Sequence, residues 1–288
     1  DGGITKAAAV GSCLALSVFY VVVLYSPTLV LRLPPPNSFK SFIFRRFACA
    51  AVSTVASLIA CALILPVRRL DFKQVLGVYG IRSDHLWRAV IHPLVLTSFM
   101  YWGSFASKLH STLQTNVNSH GKKLSVKEFF LNTFKWAVST TSDVSSWRTY
   151  VVAPLSEELV FRACMIPLLL CGGFDTYNVV FLCPVFFSLA HLNHLYEFYQ
   201  QKNCSFLKAC LVVGFQLGYT VVFGAYASFL IIRTGHLWAP LAAHVFCNSM
   251  GLPVIHSRKS GIITAAFAIG SVAFFWMLFP LTSPDLYN

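Results

Sequence analysis

The chain has 288 residues, of which 56% are hydrophobic and only 11% charged, and its mean hydropathy is +0.66. This composition excludes an ordinary soluble domain and indicates an integral membrane protein. The net charge of +12 does not indicate nucleic-acid binding, because the Lys and Arg residues gather between apolar runs, where they flank membrane spans and meet anionic headgroups. We therefore expect the lipid bilayer, and no nucleic acid, as a partner.

Apolar runs close to the length of a membrane-spanning helix follow one another along the chain. The first run, 7–25, is longer than the apolar part of a cleaved signal peptide, so we expect a retained span. The longest polar stretch, 108–127, is predicted as a surface loop, and 126–147 as an interfacial helix or a re-entrant segment. The predicted spans are 7–25, 47–65, 89–107, 148–170, 174–195, 206–232, 235–253 and 261–280.

This pattern predicts an all-α fold, a polytopic membrane helix bundle of about eight transmembrane helices. We expect the whole chain, 1–288, to form a single integral-membrane domain. The predicted span 206–232 contains Gly214, Gly218 and Gly224, and small residues of this kind allow helices to approach closely in lipid.

Two adjacent carboxylates and an arginine lie inside the predicted span 148–170. Ionisable residues at membrane depth normally face protein or a wet cavity, so they are candidates for function. Positions four apart share a helix face, so Glu158 and Arg162 are predicted to pair, whereas Glu157 points elsewhere. Glu157 is therefore the candidate general base. The alternative is that both glutamates belong to an ion-pair network that only links helices.

Polar residues recur in two later predicted spans. His191 and His194 lie three apart on one helix face. His244 and Asn248 lie four apart, so an imidazole and an amide project together and can both donate to one oxygen. The alternative for each is a hydrogen bond between helices, which is common in membranes. For His194 this packing interpretation is the favoured one.

Zinc is the second interpretation of these residues, since His and Glu are zinc ligands. No two histidines have the spacing of a zincin motif, however, and the chain has no HExxH, Walker loop or GxGxxG. We therefore expect no cofactor, with a zinc site as the lesser alternative. A third interpretation is a membrane transporter or scaffold in which buried Glu and His residues form a proton relay.

Three short groups of these residues fall in order on three predicted membrane segments. They are Glu157-Glu158-x-x-x-Arg162, Phe187-x-x-x-His191 and His244-x-x-x-Asn248. Together they resemble the motifs of the type II CAAX prenyl protease family, the Ras-converting endopeptidases of the eukaryotic endoplasmic reticulum. The resemblance covers most of the chain and departs from none of the three motifs.

The resemblance implies an eight-helix intramembrane glutamate protease that removes the C-terminal aaX tripeptide from proteins whose CAAX cysteine is farnesylated or geranylgeranylated. It implies that Glu157 and His191 activate a water molecule that attacks the peptide carbonyl. It further implies that His244 and Asn248 stabilise the oxyanion and that no metal takes part.

The resemblance also implies supporting residues, substrates and a location. Glu158 and Arg162 hold the helix that bears the glutamates, and His194 matches a further histidine of the eukaryotic members. The implied substrates are prenylated CAAX proteins such as Ras-like small GTPases. The implied location is the endoplasmic reticulum membrane, crossed several times, with the active site accessible from the cytosol.

Overall fold

A computed structural model of the chain describes residues 4–66, 71–118, 142–192, 205–257 and 260–288. Within these ranges every regular element is helical, and none is a strand. The predicted all-α class is therefore confirmed.

The α-helices are numbered in chain order. They are α1 (Lys6–Leu29), α2 (Phe39–Ile64), α3 (Phe72–Val78), α4 (Leu86–Phe99), α5 (Trp102–Asn118), α6 (Val144–Trp147), α7 (Ala153–Glu158), α8 (Met165–Cys171), α9 (Thr176–Leu189), α10 (Phe206–Thr234), α11 (Trp238–Met250) and α12 (Gly261–Leu281). Two π-helical turns, Arg148–Val152 and Leu159–Cys164, join α6 to α7 and α7 to α8. The continuous helical path from 144 to 171 is called the glutamate segment below.

Side-chain caps fix where several of these helices begin. Thr5, Ser38, Asp175 and Ser205 precede α1, α2, α9 and α10, and each accepts a hydrogen bond from the backbone N–H three residues later. A cap of this kind contributes about 1 kcal/mol because it satisfies a helix N–H that has no partner within the helix.

Four helices in the described ranges, α1, α2, α10 and α12, are long and apolar enough to cross a membrane. The pair Leu86–Phe99 and Trp102–Thr112 is bent by 66° and adds a fifth span if it crosses as one unit. The chain is thus a multi-pass membrane bundle, but the eight predicted spans are not confirmed. The helices α9 and α11 have 14 and 13 residues. Each is therefore only about 20 Å long, whereas the hydrocarbon core is about 30 Å thick.

The predicted surface loop 108–127 is wrong in its first half, because α5 continues as a helix to Asn118. The stretch 104–118 is polar but contains neither Gly nor Pro, so its composition does not prevent a helix. Most of the predicted interfacial segment 126–147 lies outside the described residues. Its last part forms the short helix α6, which Asp143 caps.

The glutamate segment lies at the centre of the bundle. Its buried residues Phe161, Met165, Leu168 and Leu169 join the largest apolar cluster, to which α1, α2 and α9 also contribute. On another side α11 packs against α7 and the first π turn. The outer faces of α2, α10 and α12 instead expose large apolar side chains, as lipid-facing surfaces do. The part of the segment that bears Glu158 and Arg162 is therefore enclosed by protein, whereas Val151 and Leu155 remain exposed.

Three glycines were predicted to allow close packing, but only at Gly224 would an added Cβ atom lie within 4 Å of a neighbouring element. A Cβ atom there would lie 2.8 Å from the Cβ of Pro184 on α9 and 3.2 Å from Nη2 of Arg162, whereas at Gly214 and Gly218 it would meet nothing within 4 Å. Gly224 is thus the position that lets α10 approach both α9 and the Arg162 guanidinium.

Candidate active site

Glu158 and Arg162 form an ion pair in the interior of the glutamate segment. Both side chains are fully buried, and Arg162 Nη1 donates to Glu158 Oε1 over 3.1 Å. The ion pair predicted from the four-residue spacing is therefore present. The guanidinium also lies over the ring of Phe187, with its carbon 4.3 Å from the ring centroid, which adds a cation–π contact.

His244 of α11 lies between the two adjacent glutamates. Its Nδ1 is 2.7 Å from Glu158 Oε1, and its Nε2 is 3.7 Å from Glu157 Oε2. Sequence spacing predicted Arg162 as the partner of Glu158 and no partner for Glu157. It missed His244, which is 86 residues from Glu158 and reaches it only through helix packing.

The contact with Glu158 fixes the protonation pattern of the His244 ring. The permanently charged Arg162 stabilises Glu158 as a carboxylate, and a carboxylate only accepts hydrogen bonds. Nδ1 of His244 therefore carries a hydrogen and donates to Glu158. It follows that Nε2 is a hydrogen-bond donor only when His244 is the doubly protonated imidazolium.

Asn248, one helical turn after His244, contacts the glutamate segment at a second point. Its Nδ2 donates to the backbone oxygen of Thr149 over 2.9 Å. This oxygen accepts because the first π turn directs the N–H of Ala153 to the oxygen of Arg148, and the next residue, Pro154, has no N–H. One hydrogen of the Asn248 amide is thus used by Thr149, and the second points elsewhere.

Glu157 and His191 line one cavity beside the glutamate segment. The centre of a water molecule can move through about 130 Å³ of it. One water needs only about 10–15 Å³ by that measure, so several fit. Neither His244 nor Asn248 is among the lining residues. They approach the glutamate segment from α11 instead.

His191 was predicted to lie on a helix face, but it lies in a turn just after α9, which ends at Leu189. Its Nδ1 is 2.9 Å from the backbone oxygen of Phe187, and the two rings are 4.7 Å apart. A carbonyl oxygen only accepts, so Nδ1 carries the hydrogen and the neutral ring has its lone pair on Nε2. His194 lies outside the described residues.

Other polar residues of the cavity wall, Tyr20, Arg46 and Arg148 among them, were not predicted as site residues. Tyr20 of α1 is 2.9 Å from the hydroxyl of Ser156 and acts as the donor, because Ser156 gives its own hydrogen to Ala153. Arg46 and Arg148 also line the cavity. In the sequence, Tyr20 is one aromatic residue of an apolar run, and the two arginines resemble ordinary charges at the ends of spans.

No group of three or more His, Cys, Asp and Glu side chains in the described part of the chain is arranged to hold a metal ion. Catalytic zinc sites usually have three protein ligands.

The chain matches the family model for type II CAAX prenyl endopeptidases, Rce1-like, over residues 142–250, a range that includes every candidate from Glu157 to Asn248. It is 54% identical to CAAX prenyl protease 2 of Arabidopsis thaliana, over 100% of this chain and 94% of the relative. It is 36% identical to CAAX prenyl protease 2 of Homo sapiens, over 96% of this chain and 82% of the relative. No solved structure matches the chain significantly.

Proposed function

The chain belongs to the family of type II CAAX prenyl endopeptidases, and we propose that Glu157, His191, His244 and Asn248 carry out its reaction. As a member of this family it is a membrane peptide hydrolase that acts on prenylated CAAX proteins. The observation that carries this proposal is the contact of His244 with both adjacent glutamates. One glutamate is buried with Arg162, and the other faces a cavity with room for water.

Glu157, assisted by His191, removes a proton from a water molecule in the cavity. The water oxygen bonds to the carbonyl carbon of the prenylated cysteine and gives a tetrahedral oxyanion. The carbon–nitrogen bond to the aaX tripeptide then breaks. The departing amine takes the proton held by Glu157, and the prenylated cysteine keeps the new carboxylate.

His244 and Asn248 stabilise the oxyanion that forms during this attack. The imidazolium form of His244 supplies the N–H at Nε2, and Asn248 supplies its second amide hydrogen. Glu158 stabilises the imidazolium through Nδ1, and Arg162 keeps Glu158 charged. Glu158 and Arg162 therefore hold both the glutamate segment and the His244 ring in position.

An apolar groove between α2 and the glutamate segment is suited to the prenyl chain. It is lined by side chains such as Val55, Val151 and Leu155, and it shares Phe47 and Ser156 with the cavity. Burial of a lipid chain contributes about 0.8 kcal/mol per CH₂ group, so such a groove favours prenylated substrates.

We propose that the substrates include Ras-like small GTPases. We also propose that the enzyme lies in the endoplasmic reticulum membrane and that its site is accessible from the cytosol, where prenylated proteins reside.

We propose that this chemistry needs no metal or other cofactor. The Nδ1 atom of His244 is already engaged by Glu158, which itself pairs with Arg162. A zinc protease at the same place remains the competing mechanism. Membership of a peptidase family argues against the third interpretation, a transporter or scaffold.

Cleavage of a farnesylated CAAX reporter peptide by the purified Glu157→Gln variant tests the proposal. We expect release of the tripeptide to slow by about 10²-fold or more, the usual contribution of a general base. The thermal unfolding midpoint should stay that of the wild type, since Glu157 is partly exposed. Cleavage at the wild-type rate would show that Glu157 is not the base.

A further inference from the structure

Arg46 and Arg148 reach the catalytic cavity from different elements. Arg46 lies on α2 and Arg148 begins the first π turn, and both line the cavity that contains Glu157. The preceding residue, Arg45, behaves differently. Its Nη1 donates to the backbone oxygen of Pro34 over 2.7 Å, and it is not part of the cavity wall.

Aromatic rings hold the Arg46 guanidinium in position. Its central carbon is 4.7 Å from the ring centroid of Tyr25 and 5.3 Å from that of Phe42. Stacking of this kind restricts a long side chain before any ligand arrives, so less entropy is lost on binding. A guanidinium so held is suited to a carboxylate, which it can bind through two parallel hydrogen bonds.

The distance along the glutamate segment matches the length of the peptide that is cut off. Arg148 precedes Glu157 by nine residues, or about 13 Å along a helix axis. An extended tripeptide spans about 10–11 Å at most, and the arginine side chain covers the remainder. The wall of the same cavity also includes the apolar side chains of Val21, Leu24 and Val152, which suit the apolar side chains of the peptide.

We propose that Arg46 and Arg148 bind the C-terminal carboxylate of the CAAX peptide and thereby fix the cleaved bond three residues from the chain end. This inference rests on the proposed function, because it takes Glu157 as the residue beside the cleaved carbonyl. The two arginines touch the substrate at its charged end and determine specificity, while the four catalytic residues act on the bond.

Two farnesylated peptides that differ only at the C terminus, as a free carboxylate or as a carboxamide, test this role. We expect wild-type kcat/KM to be about 10-fold or more higher for the carboxylate, the effect of one charge-assisted hydrogen bond. Arg46→Gln and Arg148→Gln should lower kcat/KM for the carboxylate by a similar factor and leave the carboxamide unchanged. Arg45→Gln, the matched control, should keep the wild-type preference.

Equal cleavage of both peptides by the wild type would overturn the inference, and this comparison needs no variant to fold. It would also fail if Arg46→Gln and Arg148→Gln slowed both peptides equally, since the arginines would then act on Glu157 and not on the substrate. The proposed function fails separately, if Glu157→Gln still cleaves both peptides at the wild-type rate.

Discussion

Glu157 and Glu158 are neighbours in the sequence but lie in different surroundings. Glu158 is fully buried and its Oε1 atom contacts both Arg162 and His244. Glu157 is 19% exposed and lines the cavity. The spacing of four residues was enough to predict that Glu158 pairs with Arg162 and that Glu157 points elsewhere. It was not enough to predict that Glu158 also holds His244, because that contact depends on how α11 packs.

Replacing Glu158 should therefore affect both stability and catalysis. In Glu158→Gln the buried Arg162 loses its counter-charge, and breaking a buried ion pair costs about 3–5 kcal/mol. The imidazolium form of His244 also loses its carboxylate partner, so kcat should fall. We expect a lower thermal unfolding midpoint in detergent together with a reduced kcat.

Glu157→Gln is the matched control for this experiment, because it changes the adjacent carboxylate in the same way. It should lose activity while keeping the wild-type midpoint. If the two variants unfolded at the same temperature, the assignment of Glu158 as the buried anchor would be wrong.

The helices that carry the site depart from regular geometry where the sequence contains proline. A regular α-helix over 148–170 accounts for the Glu158–Arg162 pair but not for the contact between Asn248 and Thr149. That contact needs the π turn before Pro154, whose ring lacks an N–H and crowds the preceding turn. Pro154 is visible in the sequence, yet the sequence alone does not reveal which carbonyl it leaves open or which side chain binds there.

Close packing of α10 also depends on one glycine. Gly224→Ala would put a methyl group 2.8 Å from Pro184 and 3.2 Å from the Arg162 guanidinium, so α10 or the ion pair must shift. Overpacking of this kind typically costs about 1–3 kcal/mol. We expect a lower unfolding midpoint and reduced cleavage of the farnesylated reporter.

Gly218→Ala is the control, since a Cβ atom at that position meets nothing within 4 Å. It lies on the same helix, and we expect it to leave both quantities unchanged. An equally lowered midpoint in both variants would mean that contact with Pro184 and Arg162 does not determine the outcome, since alanine itself favours a helix more than glycine does.

For the molecule as a whole, composition and hydropathy were sufficient to predict an all-α membrane bundle. The long spans α1, α2, α10 and α12 follow directly from apolar runs of sufficient length. The number of spans was less predictable. Mean hydropathy over a window of fixed length does not distinguish a full span from the short helices α9 and α11. It also does not reveal the bend between α4 and α5. These irregular elements are the ones that carry or flank the candidate site.

The central claim is that a carboxylate-activated water hydrolyses the peptide bond. Its most direct test is to measure the zinc content of the purified wild-type enzyme and its cleavage rate before and after exhaustive chelation. We predict substoichiometric zinc and an unchanged rate of tripeptide release from the farnesylated reporter. Stoichiometric zinc whose removal abolishes cleavage, and whose return restores it, would instead establish a metalloprotease.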